Sequence, residues 1–358
     1  MPLLPNPLFS RRAFLRQAGL WAGGGTLAAC ALGTFPALAV GANGPLPVTV
    51  ALAAPHAMAH LPLLLAHTLG YFQAEGLAVE WFHQTTEHQV VNAVLRGRAA
   101  VAACTFAHTL QQQARGGDLQ SFLLELRTPQ EVVGASLKTL GRYRTPADLA
   151  GRRVGVLASA APGHMVLGRL LQSAGLKPGD VSLVVADTAE ELLARYRAGE
   201  LDALSVNDPL VTLLEQRGEI RVLADTRSVH GTRELLGGPV PGGTLCAPSA
   251  WVAANPLVCQ ALANGTVRAL KWLQTAGPAD LVKALPEAAM GADRVLYLFA
   301  FDKARDAYSP DGLLSVDAAR AALSAHARLD VAFDGTGIAL PRTYTNQFAL
   351  KAKARFRA

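Results

Sequence analysis

Charged side chains are scarce in this 358-residue chain: Asp, Glu, Lys and Arg make up 17%, against 51% hydrophobic residues. That balance excludes a disordered chain, which needs little hydrophobicity and much charge. It also excludes a coiled coil, whose flanking positions demand far more Lys and Glu. Excess base is small as well. The 33 Lys and Arg outnumber the 27 acids by six, and residues 1–39 hold Arg11, Arg12 and Arg16 with no acid, leaving 30 bases against 27 acids beyond them. A net +3 over so long a stretch is no nucleic-acid footprint. Cysteine is rare and never at zinc-site spacing. Beyond residue 39 only Cys104, Cys246 and Cys259 remain, so at most one bridge can form, and three small buried hydrophobes are the expected role. The glycines of a hydrolase nucleophile elbow are missing around Ser159, where Leu157 and Ala161 stand instead, so a serine hydrolase is not expected.

What is present begins with the leader. Ser10-Arg11-Arg12-Ala13-Phe14-Leu15 resembles a twin-arginine export signal, and the uncharged, glycine-containing stretch 18–41 behind it is too weakly apolar for a good membrane anchor. Residues 1–39 are therefore expected to be a signal peptide, with the mature protein in the periplasm. Ala37-Leu38-Ala39 offers the small side chains a signal peptidase requires and is the favoured cleavage site. Leu27-Ala28-Ala29-Cys30 resembles a lipobox and keeps a lipid anchor at Cys30 open.

From residue 47 onward, apolar β runs alternate with helical periodicities, an α/β pattern. At roughly 150 residues per domain the length suits two domains. The spacing predicts strands over 48–53, 77–82, 99–104, 153–157, 181–185 and 201–206, each followed by a helix. Beyond Pro256 the chain reads as mostly helical, including a capped helix from Ser315 to about Leu329.

Four segments together carry a family resemblance. Gly70-Tyr71-Phe72 with Glu75-Gly76-Leu77, the stretch 94–101, Asp148-Leu149-Ala150-Gly151 with Val154-Gly155-Val156, and Gly199-Glu200-Leu201-Asp202-Ala203 followed by Asn207-Asp208-Pro209 stand in order along the chain. In this order they resemble periplasmic substrate-binding proteins for nitrate, sulfonates and taurine, whose fold is shared with thiamine-pyrimidine synthases. One position departs: Ala100 stands where the family carries a first-lobe aspartate, whereas Asp202 keeps the second-lobe counterpart. That aspartate is expected to support a turn. The resemblance implies a two-lobed periplasmic-binding-protein fold of type II-like form with two hinge crossings, near 132–143 and 243–251. Lobe 1 would comprise 44–138 plus 245–358 and lobe 2 would comprise 140–242, with ligand trapped between them. It further implies the exported, monomeric solute-binding component of an ABC importer, serving a permease in the inner membrane, with no cofactor, no metal and no chemistry of its own. A small oxyanion such as a sulfonate or nitrate is the implied ligand. A thiamine-pyrimidine precursor or other neutral heterocycle, stacked on Phe106 or Trp81, is the alternative, and a desulfinase-like enzyme using Cys104 beside His108 is a third.

In open α/β sheets ligands sit beyond the carboxyl ends of the strands. The loops there contain 55–60, 83–87, 105–108, 159–164, 187–188 and 207–208, and no Lys or Arg occurs in any of them. The candidate ligand-binding residues are His60, Thr86, Thr105, Ser159, His164, Asn207 and Asp208. His60 and His164 are expected at helix starts, and Asp208 is either a ligand acceptor or an N-cap for the helix behind Pro209. His56, His60 and His83 could join as a metal set, but no neighbouring Cys or Asp completes it.

Overall fold

The computed structural model describes residues 44–54, 57–157, 161–329 and 333–358. The leader, with its export and lipidation motifs, and Ser159 lie outside the described residues.

Ten strands form two sheets. β1 (Leu46–Ala53), β2 (Leu77–Gln84), β3 (Val101–Thr105) and β4 (Gln120–Leu124) share the first sheet with β10 (Gly243–Ala247), in the order β2-β1-β3-β10-β4. β5 (Val132–Ser136), β6 (Arg153–Leu157), β7 (Ser182–Ala186), β8 (Ala203–Val206) and β9 (Ile220–Asp225) form the second, in the order β7-β6-β8-β5-β9. Each sheet has three parallel strands, then a strand that runs antiparallel to both its neighbours. In both sheets that antiparallel strand is the one that has just arrived from the other sheet. Two lobes of matching topology result, each laced to the other by the strand it receives.

The principal helices are α1 (Leu61–Thr68), α2 (Tyr71–Ala74), α3 (Glu87–Leu95), α4 (Ala107–Ala114), α5 (Ala161–Ser173), α6 (Ala189–Ala198), α7 (Leu210–Gln216), α8 (Val229–Leu236), α9 (Pro256–Thr275), α10 (Arg294–Ala304), α11 (Val316–Leu329) and α12 (Gln347–Phe356). The inner parallel strands β1, β3, β6 and β8 read as near-continuous apolar runs because both faces are covered. One face of the first sheet packs with α1, α2, α9 and α12 around Phe72, Leu245, Leu262 and Phe348, and the other packs on α3 through Val90, Val91 and Val94. The second sheet encloses Val206, Leu204, Leu192 and Leu214. A further cluster joins Phe106 and Leu110 to Val133, Leu167 and the alanine face of α11, Ala318, Ala319, Ala322 and Ala325. Through it α11 packs on α4 and on α5 together.

The crossings lie earlier than the resemblance placed them. The chain changes sheets at 125–131 and returns at 226–242, because Val132–Ser136 is already paired to β8 and β9 and Gly243 is already paired to Thr105. The two crossings are stitched together by their own backbones: Thr226 N–H donates to the Glu131 carbonyl (2.8 Å) and Gly242 N–H to the Leu126 carbonyl (2.9 Å). Residue 242 must be glycine, since a Cβ there would lie 2.2 Å from the Thr128 carbonyl oxygen.

Candidate functional site

The carboxyl ends of β1, β2, β3 and β8 converge on the two crossings. β2 ends into a capping box: Thr86 Oγ1 accepts from Gln89 N–H (3.3 Å), while Gln89 Oε1 accepts from Thr85 N–H (3.0 Å) and Thr86 N–H (3.4 Å). The cap starts α3 at Glu87 and aims its carboxylate toward the end of β3. There Glu87 Oε1 accepts from Thr105 Oγ1 (3.0 Å), Oε2 accepts from Thr105 N–H (3.1 Å), and Oε2 lies 3.0 Å from His108 Nε2 on α4. Burial alone would raise this carboxyl; the bond and charge of His108, with the two Thr105 bonds, outweigh it and hold Glu87 below the ordinary carboxylate range. The positive end of α3 favours the same ionised form.

Around Thr105 lie two spaces. The smaller, about 60 Å³, is bounded by Ala54, His60, Glu87, Thr105, Gln130 and Asn207, with Cys104, Gly242 and Gly243 beside them. The larger, about 470 Å³, opens between α4, α5, β7 and α11, and Thr105 is in its wall too. His60 is 7% exposed and its Nδ1 has no partner. Burial lowers its pKa, with the Glu87 charge and the Ala53 carbonyl acting the other way, so the imidazole is neutral near pH 7. Gln130, on the outward crossing, has a buried Nε2 without a partner and a φ of 60°, left-handed for a non-glycine residue. Ala54, at the end of β1, has φ 47°. Two residues held in this costly conformation therefore face the same small space.

The crossing also carries two buried acids. Glu125 and Glu131 are both wholly buried, and burial pushes each carboxyl up to about 8, so both are protonated at neutral pH. Ser205 Oγ donates to Glu131 Oε1 (3.4 Å), while Glu131 Oε2 and both Glu125 oxygens have no partner. Unpaired buried polar atoms are rare in folded proteins, and here they gather along one seven-residue crossing.

Of the residues the sequence singled out, the structure brings His60, Thr105 and Asn207 to the small space and His164 to the large one. Thr86 spends its oxygen as the α3 cap. Asp208 is committed elsewhere: Oδ1 accepts from Thr212 N–H (3.1 Å) and Oγ1 (2.7 Å), and Oδ2 lies 3.4 Å from Arg227 Nη1. Arg227 is itself buried among Asp208, Glu215 and Asp225. Asp202 behaves as the turn support expected of it, accepting from Arg153 N–H (3.0 Å) and Nε (3.1 Å) at the starts of β6 and β8. Glu87, Gln130 and Glu131 were missed. For Glu87 a signal existed, since Thr86 and Gln89 spell a capping box that puts it at the first helical position. Gln130 and Glu131 were missed because the crossing was placed after them.

The stacking platforms expected for a heterocycle are absent: Phe106 is fully buried, edge-on to Tyr344, and Trp81 packs against His67. Cys104 is fully buried with its sulfur 3.4 Å from that of Cys246, and the bond to Cys246, with burial, drives its pKa far up. A thiol held protonated is no nucleophile, and His108 is engaged by Glu87. Among the described residues all three cysteines are free, no cluster of His, Cys, Asp and Glu could hold a metal ion, and no helix is long and apolar enough to cross a membrane.

Two α/β lobes that exchange strands across a double crossing, with a polar space at the carboxyl ends of their parallel strands, define the two-lobed periplasmic-binding-protein class. The chain belongs to the NMT1/THI5 like family, whose model matches residues 57–274. A solved protein from Bordetella bronchiseptica RB50 is 36% identical, with a TM-score of 0.80 over 87% of this chain and 98% of that one. The alkanesulfonate-binding protein SsuA from Xanthomonas axonopodis pv. citri, bound to MOPS, superposes with a TM-score of 0.65 at 20% identity, over 85% of this chain and all of that one, a likeness of fold. The 4-amino-5-hydroxymethyl-2-methylpyrimidine phosphate synthase of Schizosaccharomyces pombe is 30% identical over 125 residues, 35% of this chain and 35% of its own length. The chain thus spans about a third of the curated relatives it matches.

Proposed function

We propose that this protein is the periplasmic solute-binding component of an ABC importer, closing on one small molecule and presenting it to a membrane permease without transforming it. Support for binding without chemistry comes from the site itself: its cysteine is buried and protonated, and the Glu87 carboxylate that pairs with His108 is also tied to Thr105. The periplasmic names of structural relatives and the export-type leader support the location. The lobes that close are the two sheets with their helices, hinged at the paired crossings.

The head of the ligand is an uncharged or cationic group bearing N–H donors, in the manner of an aminopyrimidine. The observation that carries this is the wall of the small space, which holds the Glu87 carboxylate, a neutral His60, Gln130 and Asn207 and, among the described residues, no Lys or Arg. The adjoining sequences, Pro55-His56 and 158–162, contain no Lys or Arg either. A sulfonate or nitrate would enter beside the Glu87 carboxylate with no Lys or Arg among the described lining residues to bind it.

A thermal-shift screen tests the reading, because ligand at 100 times its Kd adds about 2.7 kcal/mol to stability. Aminopyrimidines should raise Tm saturably, and taurine, methanesulfonate and nitrate should not. A saturable rise with an oxyanion and none with any nitrogen base would overturn it.

A further inference from the structure

We infer that the large chamber between α4, α5, β7 and α11 is a second compartment of the same binding site, built for an apolar body of aryl size attached to the polar head. This rests on the binding reading above and names the other half of the ligand.

The two spaces meet at a single residue. Thr105 walls both, with its hydroxyl and N–H fixed on Glu87, so the two spaces lie against the same residue and a ligand occupying both would pass Thr105. Their sizes are complementary. About 60 Å³ holds a small planar head or a few waters, whereas about 470 Å³ lies within the range of pockets that enclose whole organic ligands. Their chemistry differs too. The small space is polar, but the chamber's wall is mostly apolar, with Ala107 of α4, Met165, Leu167, Leu171, Val181 and Leu183 of the second lobe and Leu329 of α11. Besides Thr105, its polar positions are imidazoles and one amide, those of His88, His108, His164, His326 and Gln111.

Two features show the chamber to be a built space. Leu183 keeps 39% of its surface exposed on the edge strand β7, an apolar side chain left uncovered beside the opening. Gly168, in the wall, lets α5 and α11 close together at one end, since a Cβ there would lie 3.3 Å from Leu329 Cδ2. Because α4 comes from the first lobe and α5 and β7 from the second, an apolar body in this chamber would touch both lobes and favour the closed form.

The test uses an uncharged fluorescent probe and a matched head–body series. N-phenyl-1-naphthylamine should bind the mature protein saturably at one site. Filling the chamber by Leu183→Trp, or independently by Ala107→Phe on α4, should weaken that binding at least about tenfold while far-UV circular dichroism and Tm show both variants folded. In calorimetry, 5-phenyl- and 5-benzyl-4-aminopyrimidine should bind the wild type at least about tenfold more tightly than 4-aminopyrimidine. Both filled variants should lose that gain and keep their affinity for 4-aminopyrimidine. Absence of a saturable probe site, or unchanged probe binding in both variants, overturns the chamber. Aryl derivatives that bind the wild type no better than the bare head overturn it as well. If the probe binds and is displaced by filling while no aminopyrimidine binds, the chamber stands and the proposed head chemistry falls.

Discussion

Glu87 Oε2 lies 3.0 Å from His108 Nε2, and the same carboxylate takes both polar hydrogens of Thr105. One acid on α3 therefore fixes the end of β3 and the start of α4, two elements that wall the cleft.

Breaking this pair should be costly. Glu87→Gln leaves His108, 3% exposed, and both polar hydrogens of Thr105 facing an amide in place of a carboxylate, which should lower stability by about 1–3 kcal/mol. The pH dependence follows from the lowered pKa. The stability Glu87 contributes is present above its unfolded value of 4.5 and is lost as pH falls through its lower folded value. Denaturant titrations at pH 7 and pH 3.5 should therefore show the Glu87→Gln deficit shrinking in acid.

Glu125 has the opposite sign. Its folded pKa of about 8 lies above its unfolded 4.5, so the folded chain binds the extra proton and stability falls as pH rises from about 4.5 to about 8. Glu125→Gln removes that slope. Its Tm should match wild type near pH 5 and exceed it at pH 8.5, by a stability gain on the order of 3 kcal/mol. A Tm difference that does not change with pH would contradict a protonated Glu125.

Asp208 spends its carboxylate oxygens on Thr212 and Arg227. Asp208→Asn strips charge from the buried Arg227 and weakens the anchor on Thr212, which should lower stability by about 1–3 kcal/mol. Ligand affinity, measured by calorimetry below the lowered Tm, should stay within about twofold. A large loss of affinity with unchanged stability would return Asp208 to the cleft.

Gly242→Ala should prevent the crossings from pairing, because the new methyl meets the Thr128 carbonyl at 2.2 Å. Insoluble protein, or a loss of several kcal/mol, is expected. Gly151→Ala serves as the control: its φ is 69° but no atom lies within 4 Å of a Cβ, so it should cost about 1–2 kcal/mol and keep the fold.

The twin-arginine reading of the leader predicts that replacing Arg11 and Arg12 by Lys leaves the precursor in the cytoplasm. Intact mass of exported protein then separates a chain starting at Val40 from one lipidated at Cys30. Export that persists when the twin-arginine machinery is disabled would refute the reading.

Much of the fold was legible in the sequence. Apolar runs alternating with helical periodicity mark α/β layers, and the order of the Gly-Tyr-Phe, Asp-Leu-Ala-Gly and Leu-Asp-Ala segments marks the family, because each segment places a glycine or an acid where a turn needs it. Loop position singled out His60, Thr105, His164 and Asn207 at the carboxyl ends of strands, and the structure places them in the walls of the two spaces. Only the tertiary structure decided the rest. Whether Val132–Ser136 crosses between lobes or joins a sheet depends on pairing with β8 and β9, some 70 to 90 residues away, which local pattern does not encode. That displacement hid Gln130 and Glu131. Asp208 and Glu87 are both acids at helix starts and look alike in sequence. Arg227, folded back beneath α7, pairs with the first, and His108 and Thr105 hold the second in the wall of the small space. Burial and distant partners separate these roles, and both arise only when the chain has closed on itself.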